Sequence, residues 1–150
     1  MEIFDCKKIF DLYLSEGFAE CKNIKIVGCI KSDISFELRN NCFDVVDLSE
    51  AEFIEEDKEE RVCLGFSHSG PVYSSRICTR HYDYLEMFVS DIYTKKIILP
   101  PNVKRKHMNR IKDRSFIETV IVHDECPLFS MKDGDVYNKK GTTLVFSNKK

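Results

Sequence analysis

No apolar run in this chain approaches the roughly 18 residues that a membrane-spanning helix needs, which excludes an integral helical membrane protein. Glycine and proline are scarce, at 6 and 4 of 150 residues, which excludes a collagen-like fibre. Net charge is nearly absent, at −2 with a pI of about 6.1. Nothing therefore draws the whole chain toward nucleic acid or an anionic membrane. The first residues hold no uninterrupted apolar stretch, because Glu2, Asp5, Lys7, Lys8 and Asp11 break it, and no signal peptide is visible.

The cysteines lack the spacings that carry chemistry. Cys6, Cys21, Cys29, Cys42, Cys63, Cys78 and Cys126 form an odd set without a Cys-x-x-Cys, so zinc fingers, thioredoxin-like motifs and regular disulfide frameworks lose their main signal. Cys63, His68, Cys78 and His81 offer two thiols and two imidazoles, but their gaps fit no standard zinc pattern. Cys78/His81 and His123/Cys126 are each three apart, a spacing that could place both members on one helical face. Pro127 disfavours helix at Cys126, and no oxyanion-hole glycine motif flanks either pair. The expectation is mostly free thiols acting as small buried hydrophobes, with no catalytic residue, no metal ligand and no cofactor.

What is present suits one domain with a real core: 43% hydrophobic residues and 32% charged ones. The charge is unevenly placed. Residues 1–75 hold 16 acids and 8 bases, and residues 76–150 hold 9 acids and 15 bases. Glu50 to Glu60 carries seven acids against Lys58, and Lys104 to Arg114 carries six bases against Asp113. The basic run could dock phosphate. No aromatic is interleaved in it, as a stacking platform would want, so a solvated loop beside an acidic one is the preferred reading.

Residues 2–16 have a helical period, with Ile3, Cys6, Phe10, Tyr13 and Leu14 on one face and Gly17 as the stop. Short β runs follow at 24–27, 45–48, 96–99 and 119–122, with a short helix through Ile34, Phe36 and Leu38, capped by Ser32 or Asp33. Helical or turn pattern returns at Leu85, Met87, Phe88 and Ile92, while 62–84 shows only weak regularity. The end reads as a hairpin, with Asp135–Tyr137 and Thr143–Phe146 about a turn at Asn138 to Gly141. The intervals Ile26 to Val46 and Ile98 to Ile121 fall within the period of a leucine-rich repeat, whose units bury their apolar faces only by stacking.

Particular strings carry a resemblance. Pro127-Leu128-Phe129-Ser130, Asp133-Gly134-Asp135-Val136-Tyr137-Asn138 and Gly141-Thr142-Thr143-Leu144 stand in order at the end. Ile97-Ile98-Leu99-Pro100-Pro101-Asn102-Val103, Leu85-Glu86-Met87-Phe88, Asp44 to Ala51 and Ile24 to Leu38 precede them. With these the chain resembles the BspA-like leucine-rich-repeat family of bacterial surface proteins. Residues 52–84 match that pattern poorly.

The resemblance and the intervals together imply an α/β repeat fold, a leucine-rich-repeat-like right-handed solenoid. It would have a short parallel sheet, an N-terminal helix cap at 1–17, irregular repeats over 24–122 and a hairpin cap at 127–146. Ile24, Ile26, Val46, Leu48, Ile97, Leu99, Val120 and Val122 would face inward. Lys25, Asp47, Ile98 and Ile121, with His123 beside them, would form the outward row of a concave binding face. The implied function is a non-enzymatic protein–protein interaction module, with surface adhesion as its finer form. The partner would be an unidentified protein or a second copy. An anion or nucleic-acid binder through 104–114, and a Cys/His thiol or zinc enzyme, are the alternatives, in that order. The residues suggest a cytoplasmic chain, and the resemblance a cell-surface or secreted one.

Overall fold

The computed structural model describes residues 2–3, 22–38 and 41–148. A five-stranded parallel sheet organises the body. Its order is β1 (Glu2–Ile3), β2 (Asn23–Ile30), β3 (Cys42–Phe53), β6 (Tyr93–Ile98) and β7 (Thr119–Ile121). The β runs at 24–27 and 45–48 lie within β2 and β3, those at 96–99 and 119–122 run one residue past β6 and β7, and the eight residues placed inward by alternation are all buried. One face of the sheet supplies them. Helices α1 (Ser35–Leu38), α2 (Tyr84–Asp91) and α3 (Arg105–Lys112) add Leu38, Leu85, Phe88, Val89, Met108 and Ile111 to the same core. The Phe53 and Phe88 rings meet there with centroids 5.4 Å apart.

The helices start where the chain supplies acceptors for their free N–H groups. Asp33 Oδ1 accepts from the Ser35 N–H at 3.1 Å, and Asp83 Oδ1 accepts from the Glu86 N–H at 3.0 Å. Lys104 precedes α3 without a side chain that can accept. His107 reaches back instead, and its Nδ1 takes the Lys104 N–H at 2.8 Å. The segment 104–114, read as a loop, is therefore mostly helix. Its start carries none of the residue types that announce an N-cap.

The right-handed solenoid reading is overturned. Strand makes up 54% of the structure and helix 15%, and the strands divide into separate sheets, two of them antiparallel. The links between the parallel strands are not copies of one unit. Between β2 and β3 stands α1, and between β6 and β7 stands α3. Between β3 and β6 the chain makes β4 (Glu55–Ser67) and β5 (Gly70–Asp83) before α2. Among the described residues these two strands pair only with each other, as an antiparallel ribbon turning at His68-Ser69, which we call the arm. The acidic segment 50–60 is the end of β3 and the start of this arm, and the irregular stretch 62–84 of the sequence reading is nearly all arm. The helix expected from residue 2 is strand at Glu2 and Ile3, which pair in parallel with Lys25 and Ile26. The remainder of that helix reading lies outside the described residues.

The C-terminal hairpin is the second half of a three-stranded antiparallel sheet, β8 (Phe129–Lys132), β9 (Asp135–Asn138) and β10 (Leu144–Phe146). Asp133 and Gly134 join β8 to β9 with φ of 53° and 84°. Both values lie in the left-handed region that a two-residue turn of the primed type requires.

Asn148 then ties this sheet to the parallel one. Its Oδ1 accepts from the Val120 N–H at 2.7 Å, and its Nδ2 donates to the Val120 and Gly134 carbonyls at 2.9 and 2.7 Å. The amide thus stands in for one residue of a neighbouring strand on β7. Asn148→Ala would leave the buried Val120 N–H and carbonyl unpaired. The expected cost is about 2–3 kcal/mol in urea unfolding with an unchanged m value. A cost below about 0.5 kcal/mol would show that water takes over those groups.

Candidate functional site

Alternation on β2, β3, β6 and β7 places Lys25, Asp47, Ile98 and Ile121 opposite one another in register: Lys25 against Asp47, Asp47 against Ile98, and Ile98 against Ile121. Adjacent members are about 4.8 Å apart in such a ladder. The row ends in charge at β2, where Lys25 Nζ lies 2.9 Å from Glu50, and Asp47 Oδ1 accepts from the Ser49 N–H. At the other end Ile98 and Ile121 are half-buried, not fully exposed as the sequence suggested, since Ile98 is flanked by row neighbours on both sides. His123, two residues beyond Ile121, is half-buried, and its Nδ1 accepts from the Glu125 N–H at 3.1 Å. The structure therefore assembles the row in register across the four strands.

A denser polar cluster, not anticipated, forms at the root of the arm. Glu55 opens β4 and Asp83 closes β5, and the two are cross-strand partners. Asp83 is 5% exposed and His107 is 2% exposed. Asp83 Oδ2 lies 2.8 Å from His107 Nε2 and 2.5 Å from Lys106 Nζ. Glu55 Oε1 lies 2.5 Å from Lys104 Nζ and 3.4 Å from Lys106 Nζ. Burial alone would push the Asp83 carboxyl up. The Lys106 ammonium, the Glu86 N–H and His107 outweigh it and hold Asp83 well below the usual carboxylate range. Burial pushes His107 down, so the ring is neutral. Its Nδ1 already accepts the Lys104 N–H, so the ring proton sits on Nε2, where it is donated to Asp83. The signal for half of this cluster was in the sequence: Asp83-Tyr84-Leu85-Glu86 before an apolar run is a capping-box pattern.

Glu55, Asp83 and His107 bring three ligand-type atoms within 4.8 Å of one another. Their chemistry argues against a metal. Two ammonium groups already neutralise the carboxylates, one imidazole nitrogen is engaged by a backbone N–H, and the other carries a proton. A cation would have to displace all of these. The cluster instead joins the arm, the start of α2 and the start of α3.

Cys63, His68, Cys78 and His81 are not brought together. Along the ribbon His81 stands opposite Asp57, Cys78 opposite Glu60, and Tyr73 opposite Cys63. Successive stations are three residues apart on β4, about 10 Å, too far for one coordination sphere. Cys78 and His81 also sit on a strand, where an odd spacing points them to opposite faces. Among the described residues Cys29, Cys42, Cys63, Cys78 and Cys126 are free thiols, and only Cys126 is buried. The expectation of mostly buried cysteines fails among these: Cys63 and Cys78 lie on β4 and β5, which are exposed on both faces, and Cys29 and Cys42 are exposed on β2 and β3.

The basic segment is largely compensated internally. Lys104 and Lys106 meet Glu55 and Asp83, and Arg110 Nε donates to Glu86 Oε1 at 3.1 Å. Arg114 Nη2 donates to the Ile92 carbonyl, and its guanidinium lies 4.6 Å from the Phe116 ring centroid and 5.2 Å from that of Tyr93. A tract with four of its six bases so engaged offers little to a polyanion.

The arm carries the most exposed apolar side chains of the described residues. Phe66 is 85% exposed, Leu64 68%, Ile77 60% and Tyr73 53%, with Val62 and Val72 close behind. Toward the root, the Tyr82 and Tyr84 rings stack at 5.9 Å, and their hydroxyls donate to Glu60 and Glu56. Lys58 Nζ lies 5.6 Å and 5.8 Å from the two ring centroids. The root is thus braced by side chains, and the outer half presents apolar ones to solvent. Comparison with protein-family models, curated proteins and solved structures gave no match.

Proposed function

We propose that the chain is a non-catalytic protein–protein interaction module whose principal contact element is the arm. One observation carries this reading: Leu64, Phe66, Tyr73 and Ile77 are all more than half exposed on a ribbon that pairs with no other strand of the described residues. Apolar side chains clustered on an open two-stranded ribbon are costly in water and prone to aggregate, and natural sheets avoid them unless a partner covers them. The resemblance of the sequence to BspA-like proteins supports the same class of function, and contact at a bacterial surface is its finer form. The half-buried Ile98–Ile121 pair is a weaker candidate surface, because less of it is free to be covered.

The test is a concentration series by sedimentation velocity, with cross-linking to co-purified proteins. It compares the parent chain with Leu64→Ser/Phe66→Ser/Ile77→Ser and with Ile98→Lys/Ile121→Lys. The arm variant is expected to lose association while keeping its circular dichroism, and the row variant to keep association if it folds. An arm variant that associates as the parent does would remove the arm from the function.

A further inference from the structure

A groove of about 290 Å³ runs between α3 and the C-terminal sheet, far along the chain from the arm. Arg105, Asn109 and Lys112 lie on its helical wall, spaced four and three residues apart and so on one face of α3. Leu128, Phe129 and Val145, with Met108, supply the apolar floor. No acidic residue lines it. Arg105 and Lys112 are the two bases of 104–114 that remain exposed without an internal partner among the described residues, and the Asn109 side chain has none either. The segment's uncompensated charge is therefore concentrated on one apolar groove.

We propose that this groove binds an extended acidic peptide of the pattern acid–x–apolar–x–acid, supplied by a partner protein. In an extended chain these three side chains share one face. The two acids are then about 13 Å apart, against about 10.5 Å between Arg105 and Lys112 along the helix axis, a difference that two long side chains absorb. The apolar residue between them would enter over Leu128, which is 38% exposed. The volume lies at the small end of ligand pockets, which suits one side chain of a peptide better than a whole cofactor. The apolar floor favours a peptide over a polyphosphate, which would have nothing to place there. The inference rests on the interaction reading only in taking a peptide as the ligand.

Fluorescence anisotropy with a labelled Glu-Ser-Leu-Ser-Glu peptide tests it. Saturable binding below about 1 mM is expected. Arg105→Gln/Lys112→Gln should weaken it at least tenfold, and Arg110→Gln, which removes a base paired elsewhere, should leave it within twofold. Replacing the leucine of the probe by serine should also weaken binding at least fivefold. Thermal melts of each variant separate lost binding from lost folding, and Leu128→Ser provides a second, uncharged lesion in the same groove with an expected loss of at least threefold. The proposal is overturned if the probe does not bind. It also fails if the paired-glutamine variant binds no worse than the Arg110 variant, or if a single-stranded oligonucleotide binds as well as the peptide and is indifferent to Leu128→Ser. The arm variant Leu64→Ser/Phe66→Ser/Ile77→Ser should bind the probe normally. Loss of the arm reading and loss of the groove reading are thereby distinguished.

Discussion

Asp83→Ala is expected to destabilise the protein by about 3 kcal/mol, read as a fall in melting temperature of about 6–12 °C. Asp83 is where three connections meet. It accepts the Glu86 N–H that begins α2, the Lys106 ammonium and the His107 Nε2–H. Removing it strands a buried imidazole proton and an ammonium and uncaps a helix. Asp83→Asn keeps the helix cap but loses the charge, and should fall between the parent and the alanine variant. The pH dependence follows from the same site. His107 is held below its ordinary 6.5, so the unfolded chain takes up a proton first, and stability falls as pH drops below about 6.5. Asp83 is held below its ordinary 3.8, so its contribution is present above that value and is lost on further acidification. His81 has the opposite sign. The Asp57 hydrogen bond raises its pKa, so its contribution is full below about 6.5 and fades as pH rises through the folded-state value. His107→Gln should flatten the stability profile below about pH 6.5. An unchanged slope there would show that His107 takes up its proton equally readily in the folded and unfolded chain.

The body of the fold was legible where burial is one-sided. Ile24, Ile26, Val46, Leu48, Ile97 and Leu99 alternate with polar or half-buried neighbours because a single face of the sheet meets the helices, and period-two reading depends on that asymmetry. The arm was illegible for the complementary reason. From Asp57 to His81 nearly every residue is exposed or half-buried on both faces, so no apolar period distinguishes inside from outside. Its strand character came instead from cross-strand contacts such as Asp57–His81 and Glu60–Tyr82, which join residues more than 20 positions apart. The similar intervals from Ile26 to Val46 and from Ile98 to Ile121 then suggested repeats. Equal spacing does not fix equal connections, and the link between β3 and β6 contains the arm where a repeat would have had a short turn. The row Lys25, Asp47, Ile98 and Ile121 was legible because register in a parallel sheet follows from the same buried positions that fix its neighbours. The Asp83–His107 cluster was not, because its members are 24 residues apart and meet only once the ribbon turns back.

Excision of the arm should separate architecture from association. Glu56 and Tyr82 face each other across the ribbon, so joining them by Asn-Gly in place of residues 57–81 closes a two-residue hairpin at a position whose register already exists. The shortened chain keeps Glu55, Asp83, Lys104, Lys106 and His107, and with them the link to α2 and α3. It loses Leu64, Phe66, Tyr73 and Ile77, which contribute nothing to the core. An isolated two-stranded ribbon is marginally stable at best, so its removal should change the melting temperature of the body by no more than a few degrees. Association with partners or with a second copy should disappear completely. The removed stretch spans Asp57 to His81 and takes with it the Asp57–His81 pair, so the stabilising contribution of His81 at low pH should vanish while the His107 slope persists. If the shortened chain instead unfolds cooperatively far below the parent, the ribbon is part of the folding unit, and its exposed apolar residues cannot be read as a surface reserved for a partner.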